Sequence, residues 1–200
     1  MIQTSEDGDC LILTIDRPEK ANALTPNMLK AISKTVETAT TKVLILTGRG
    51  RVFSSGADLD AARAGLAVSP LWECLSSTVA NFSGLTIAAI NGTVAGGAMG
   101  MVLACDLRIS VAEANFFYPV MRLGFLPQPS DVKRMRALIG PARTKFILMA
   151  GQKVLASDAI HWGLVDQITS SETLIVRAKL LATDALGASH RHISEIKRMI

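Results

Sequence analysis

Aromatic residues are scarce, only 4% of 200 residues. That excludes a surface built to stack single-stranded nucleic acid and leaves the core to Ala, Leu, Ile, Val and Met. Cysteine is nearly absent too: Cys10, Cys74 and Cys105 are odd in number and far apart. They suit neither a disulfide framework nor a zinc site, and they point to a reducing compartment. Cys74 and Cys105 read as small buried hydrophobes. There is no long run of like charge, although Lys+Arg 21 against Asp+Glu 17 leaves the chain at +4. A nucleic-acid arm is therefore not expected. The first residues, Met1 to Asp7, lack the basic and apolar regions of a secretory leader. A cytoplasmic location is the expectation.

What is abundant is aliphatic. At 49% hydrophobic and 19% charged, the chain can fill a sizeable core, and disorder is excluded. One stretch, Leu85 to Cys105, carries no charge and has the length of a membrane span. It is broken by Asn91-Gly92 and Gly96-Gly97, so it reads better as strand, tight turn and short buried helix over Ala98–Ala104. No membrane association is expected.

Elsewhere, Cys10–Ile15 and Val43–Thr47 have the character of strands, and Met28, Ile32 and Val36 recur at helical spacing. Ser69–Phe82 is predicted helical, as are Ser130–Ile139 and Ala142–Ala150 on either side of Gly140-Pro141. A strand is predicted over Asp106–Val111, a shorter one near Phe116 and another over Leu164–Ile168. The chain finishes in two predicted helices, Ser171–Leu186 and Ser189–Ile200. Alternating strands and helices favour an α/β fold with parallel pairing. Residues 1–170 are expected to form the core and 171–200 a short helical segment.

Two segments are physically alike. Val43–Thr47 leads to Ser54-Ser55-Gly56-Ala57-Asp58, and Leu85–Ile90 leads to Asn91-Gly92-Thr93-Val94-Ala95-Gly96-Gly97. Each is a buried strand running into a Gly-rich turn that starts a helix, where main-chain N–H groups lack partners. Side by side, two such turns can aim two N–H groups at one oxygen that is gaining negative charge. The glycines equally allow tight packing with no chemical role. Neither turn carries the lysine of a phosphate loop or the spaced glycines of a dinucleotide fingerprint.

Arg17-Pro18-Glu19-Lys20-Ala21-Asn22-Ala23-Leu24, Leu46-Thr47-Gly48, Phe53-Ser54-Ser55-Gly56-Ala57-Asp58 and Ile87 through Asp106 together resemble the crotonase superfamily, the enoyl-CoA hydratase/isomerase family. Pro119 to Gly124, Ala156 to Ala159 and Gly163 to Asp166 continue the likeness. The resemblance implies a crotonase-like spiral of ββα units with a helical C-terminal part. It implies an acyl-CoA thioester as ligand and a homotrimer, or a hexamer made as a dimer of trimers. No separate cofactor or metal is implied, since coenzyme A is part of the substrate. It puts the two oxyanion-hole N–H groups on Ala57 and Gly97. Lys20, Ala21, Leu24, Ser55, Gly56, Asp58, Gly96 and Val120 then fall in substrate-binding segments.

The family's hydratases use two glutamates to activate water and move a proton. The matching positions here are Gly100 and Val120, neither of which moves a proton. Hydratase activity is therefore disfavoured, and a decarboxylase-type reaction through a thioester enolate fits better. A non-catalytic acyl-CoA-binding or assembly homologue is the alternative. Asp131, in Pro127-Gln128-Pro129-Ser130-Asp131, is the substitute acid/base candidate; Ser130 and Asp131 equally suit a helix cap and a first-turn acid. Tyr118 reads as a packing residue and Glu73 as a solvated one.

Overall fold

The computed structural model describes residues 1–200. Ten strands form two mixed sheets. The strands are β1 (Ile2–Asp7), β2 (Cys10–Ile15), β3 (Val43–Gly48), β4 (Val52–Ser54), β5 (Leu85–Ile90), β6 (Thr93–Ala95), β7 (Leu107–Val111), β8 (Asn115–Phe117), β9 (Val154–Leu155) and β10 (Gln167–Thr169). The larger sheet has the order β1-β2-β3-β5-β7-β10, and the smaller β4-β6-β8-β9. Pairing is parallel except at β1–β2 and β8–β9.

The helices are α1 (Pro26–Thr38), α2 (Leu59–Arg63), α3 (Leu71–Ala80), α4 (Ala98–Ala104), α5 (Val120–Leu123), α6 (Pro129–Leu148), α7 (Ala156–Trp162), α8 (Leu174–Leu181), α9 (Thr183–Gly187) and α10 (His190–Met199). Three successive turns of chain repeat one plan. A long strand enters the larger sheet (β3, β5, β7), a short one enters the smaller sheet (β4, β6, β8), and helix follows. The expected α/β spiral of ββα units is what the chain forms.

Sequence explains most elements. β3 and β5 are continuous aliphatic runs because a strand in the middle of a covered parallel sheet is buried on both faces; Val43 to Leu46 and Ile87 to Ile90 have almost no exposure. α1 begins at Thr25, whose hydroxyl accepts from the Met28 N–H, with Pro26 in the first turn. Its buried face is Met28, Leu29, Ile32 and Val36. The uncharged stretch 85–105 divides into β5, β6 and α4, all seven residues of α4 being buried. No helix is long and apolar enough to cross a membrane.

Some expectations need correction. β1 has a largely exposed, polar sequence and no apolar alternation, so only its pairing with β2 reveals it. Cys74 is exposed, not buried, because it faces outward from α3. The two helices predicted on either side of Gly140-Pro141 are found as predicted, meeting within α6 at Gly140, whose backbone is non-helical (φ 77°, ψ 168°). The single helix expected over Ser171–Leu186 is divided into α8 and α9.

Polar anchors tie the C-terminal helices to the sheet. Asp106 Oδ2 accepts from the Thr86 N–H and hydroxyl and from Lys197 Nζ of α10. Buried Arg108 donates to the carbonyls of Leu164 and Cys105 and holds β7 beside the chain leading to β10. Buried Arg108 thus has its partners, as a low-dielectric interior requires.

Candidate active site

The short strands β4 and β6 are parallel neighbours, so the turns that follow them lie side by side. Gly56 has φ +91°, and a Cβ there would stand 2.8 Å from the Ala95 carbonyl oxygen. Both facts demand glycine, and the second one measures how closely the turns approach.

The hydrogen bonds around Ala57 account for every neighbouring amide but its own. Ser55 N–H donates to Ala21 O, Gly56 N–H to Ser54 Oγ, and Asp58 N–H to Leu24 O. Leu24 N–H in turn donates to Gly56 O at 2.7 Å. Leu24 thereby clamps both sides of Ala57, whose N–H meets no acceptor in the protein. On the second turn Gly96 N–H donates to Phe117 O at 3.1 Å, while the Gly97 N–H likewise has no acceptor. Ala57 and Gly97 both lie at the rim of one cleft of about 360 Å³. Ser55, Ala57, Gly96, Gly97 and Val120 all line it. A larger surface cleft of about 740 Å³ along Val120, Phe125, Arg136 and Met149 contains neither amide.

Two side chains missed in the sequence hold this geometry. Trp72 lies flat against Gly97: a Cβ there would be 2.6 Å from the indole, whose N–H is fixed on Leu66 O at 2.8 Å. Asn22 is fully buried. Its Oδ1 accepts from the Arg17 N–H, and its Nδ2 donates to the carbonyls of Arg49 and Val52. These bonds fasten the 17–24 loop to the β3–β4 connection, with Asn22 itself in left-handed backbone at φ 54°. No spacing rule marks either residue; the Asn22 signal was its place inside the quoted motif.

The substrate-segment residues divide by role. Lys20 is exposed, Ala21 is half-buried, and Leu24 is fully buried, acting through Ala57 and not on the cleft. Asp58 caps α2, accepting from the Asp60 and Ala61 N–H groups, and pairs with Arg17 at 2.7 Å. The Arg17 hydrogen bond is the main reason its carboxyl sits below the ordinary aspartate range.

Gly100 lies in the first turn of α4, just behind the Gly97 amide. A Cβ on Gly100 would be 2.6 Å from Oδ1 of Asp131 and 3.1 Å from Oδ2. The space for a side chain at position 100 is filled from α6 by a carboxylate. Asp131 stands in the first turn of α6 as expected, but Ser130 does not cap that helix. α6 is preceded by Gln128 with no side-chain cap, and Asp131 Oδ2 instead accepts from the Tyr118 hydroxyl at 3.0 Å. Asp131 is 1% exposed, and Oδ1 has no partner. Burial pushes its carboxyl up to about 6, against the opposing pull of the Tyr118 bond and Arg134, with Glu73 adding to the rise.

Tyr118 lines the cleft, whereas Asp131 stands behind it. The Tyr118 hydroxyl is held far above the usual phenol range, first by burial and then by the Asp131 charge. Glu73 is half-buried with Oε2 unpartnered, contrary to a solvated role, because α3 turns it inward. The Cys105 thiol is pushed up to about 12 by burial and is inert as a nucleophile.

Comparison with known proteins shows the family and the fold. The family model for enoyl-CoA hydratase/isomerase matches residues 6–200. Carnitinyl-CoA dehydratase of Salmonella typhi is 30% identical over 212 residues, covering 99% of this chain and 79% of its own. The structure of Pseudomonas aeruginosa DspI superposes with a TM-score of 0.91 at 30% identity, over 98% of this chain and 84% of that one. An enoyl-CoA hydratase from Bacillus anthracis gives 0.90 at 28%, over 98% and 81%. With one family model spanning nearly the whole chain and the fold matched, this protein belongs to the enoyl-CoA hydratase/isomerase family, the crotonase superfamily.

Proposed function

We propose that the chain processes an acyl-CoA thioester through its enolate, the thioester oxygen being held by the N–H groups of Ala57 and Gly97. The observation that carries this reading is the pair of partnerless amides on adjacent turns, opening on one cleft. One such donor contributes roughly 2.7–4 kcal/mol to a transition state that develops an oxyanion. In this reading Lys20 and Ala21, on the loop that carries Leu24, take the coenzyme A portion, and the acyl group enters the cleft that Trp72, Tyr118 and Val120 line.

Hydration needs a group to activate water and another to deliver a proton, and Gly100 and Val120 supply neither. Asp131 offers one carboxyl group, poised near neutral pH by burial. A single proton donor suffices for decarboxylation of a malonyl-type thioester. The bond from Cα to the carboxylate breaks, its electron pair enters the enolate, carbon dioxide leaves, and Cα takes the proton of Asp131. Asp131 then recovers a proton from water. The apolar walls of the cleft favour loss of a carboxylate charge. A second reading, a non-catalytic acyl-CoA binder, is favoured by one fact: Asp131 does not itself line the cleft.

Purified protein incubated with malonyl-type and crotonyl thioesters separates these readings. Release of carbon dioxide supports the first, and ready hydration of crotonyl-CoA overturns it. Measurable thioester affinity without turnover of either establishes the binder. Assembly as a homotrimer fits the exposed apolar side chains of Met121, Leu123 and Leu126 around α5, and light scattering tests it.

A further inference from the structure

The Asp131 carboxyl is touched directly by Tyr118 and acted on electrostatically by Glu73 and Arg134. Tyr118 comes from the β8–α5 link, Glu73 from α3 and Arg134 from one turn further along α6. Arg134 donates to Ser130 Oγ, which also contacts Ser76 Oγ on α3. α3 and α6 both pack on α4, the helix that begins at the Gly97 amide. Two carboxylate oxygens in this cluster, Asp131 Oδ1 and Glu73 Oε2, are buried without any partner. Orphaned buried carboxylate oxygens are costly, and a resident proton relieves the cost. The Tyr118 hydroxyl has one hydrogen, which is committed to Oδ2. A proton on Asp131 must then sit on Oδ1, the oxygen against Gly100.

We propose that Tyr118 and Glu73 are positioning residues for Asp131. Tyr118 pins Oδ2 and leaves Oδ1 facing the Gly97–Gly100 turn, and the half-buried Glu73 carboxyl, whose Oε2 is also without a partner, favours the proton on Oδ1 until substrate carbon takes it. This rests on Asp131 being the proton donor of the proposed reaction.

The two neighbours act in opposite senses. A hydrogen bond donated to the carboxylate favours the charged form, and a nearby like charge favours the neutral one. Tyr118→Phe keeps the ring in the cleft wall and deletes only the bond. It therefore raises the Asp131 midpoint, whereas Glu73→Gln lowers it.

The test is a carbon-13 carboxyl NMR titration of the ligand-free protein, with Asp131→Asn assigning the resonance. A midpoint near 6 is the expected result for the parent. Tyr118→Phe is expected to move it up and Glu73→Gln to move it down, each by at least about threefold in proton affinity. The high-pH limb of kcat/KM with a malonyl-type thioester moves in the same two directions, with kcat lowered about tenfold or more in Tyr118→Phe and KM little changed. Midpoints that stay in place, or that move the same way, overturn the proposal even in an active enzyme. Opposite shifts without turnover uphold the positioning roles and overturn the decarboxylase reading alone. Should Tyr118→Phe fail to fold, Glu73→Gln against Glu73→Asp decides the matter: Gln lowers the midpoint and Asp keeps it.

Discussion

Gly100 and Asp131 share one volume: a Cβ on the first would stand 2.6 Å from Oδ1 of the second. The family's hydratases root a catalytic glutamate at the matching position. Here the root is bare, and a carboxylate reaches the same space from another helix.

Gly100→Ala is accordingly expected to destabilise the fold by about 1–3 kcal/mol through overpacking. The cost should largely vanish when Asp131→Gly is added, giving a coupling energy of about 0.5–3 kcal/mol in a denaturant double-mutant cycle. Gly100→Glu in the Asp131→Gly background is expected to recover part of the proton transfer lost in Asp131→Gly alone. Additive costs in the cycle would mean that the two residues do not compete for space.

Asp131 also makes stability depend on pH. Its carboxyl is raised from 3.8 to about 6 in the folded protein. The folded state therefore holds this proton more tightly than the unfolded chain does. That advantage is complete below pH 3.8 and is lost as the pH rises through about 6. Asp131→Asn, which cannot ionise, is expected to gain on the parent by up to about 3 kcal/mol between pH 4 and pH 7.5. Urea titrations of both proteins at the two pH values measure the difference, and parallel stability curves would contradict it.

Gly97 has two separable duties, to leave room for Trp72 and to present its N–H. Gly97→Ala is expected to cost about 1–3 kcal/mol by collision with the indole, and Trp72→Leu should relieve it. In that Trp72→Leu background, Gly97→Ala retains the amide and should remain active. Gly97→Pro in the same background loses the amide and should lower kcat by about 10²–10³-fold while the protein remains folded by circular dichroism. Equal kcat values for the two would remove Gly97 from the oxyanion hole.

Asn22→Ala deletes three hydrogen bonds in a fully buried position and puts alanine at a φ of 54°. A loss of about 2–4 kcal/mol is expected, together with weaker acyl-CoA binding as the 17–24 loop loosens. Thermal melts and thioester titration by calorimetry check both. Unchanged affinity in a folded variant would show that this loop does not shape the site.

The elements that sequence identified are those whose burial is nearly uniform along them. β3, β5 and α4 are unbroken apolar runs, so no partner had to be known to recognise them, and glycine marked the turns that follow β4 and β6. The free amides at Ala57 and Gly97 were legible for the same local reason, because a strand ending in a turn before a helix start leaves N–H groups unspent. β1 was not legible, since its exposed polar residues carry no pattern without β2 beside them.

The linear chain thus determined its family, its strand-and-helix repeat and the two turns that present free amides, all properties of neighbours within a few residues. Only the tertiary structure brought a carboxylate to the space beside Gly100. Gly100, Tyr118 and Asp131 meet through packing between elements far apart in sequence. Desolvation, which sets the proton affinity of Asp131, exists only once those elements have closed around it.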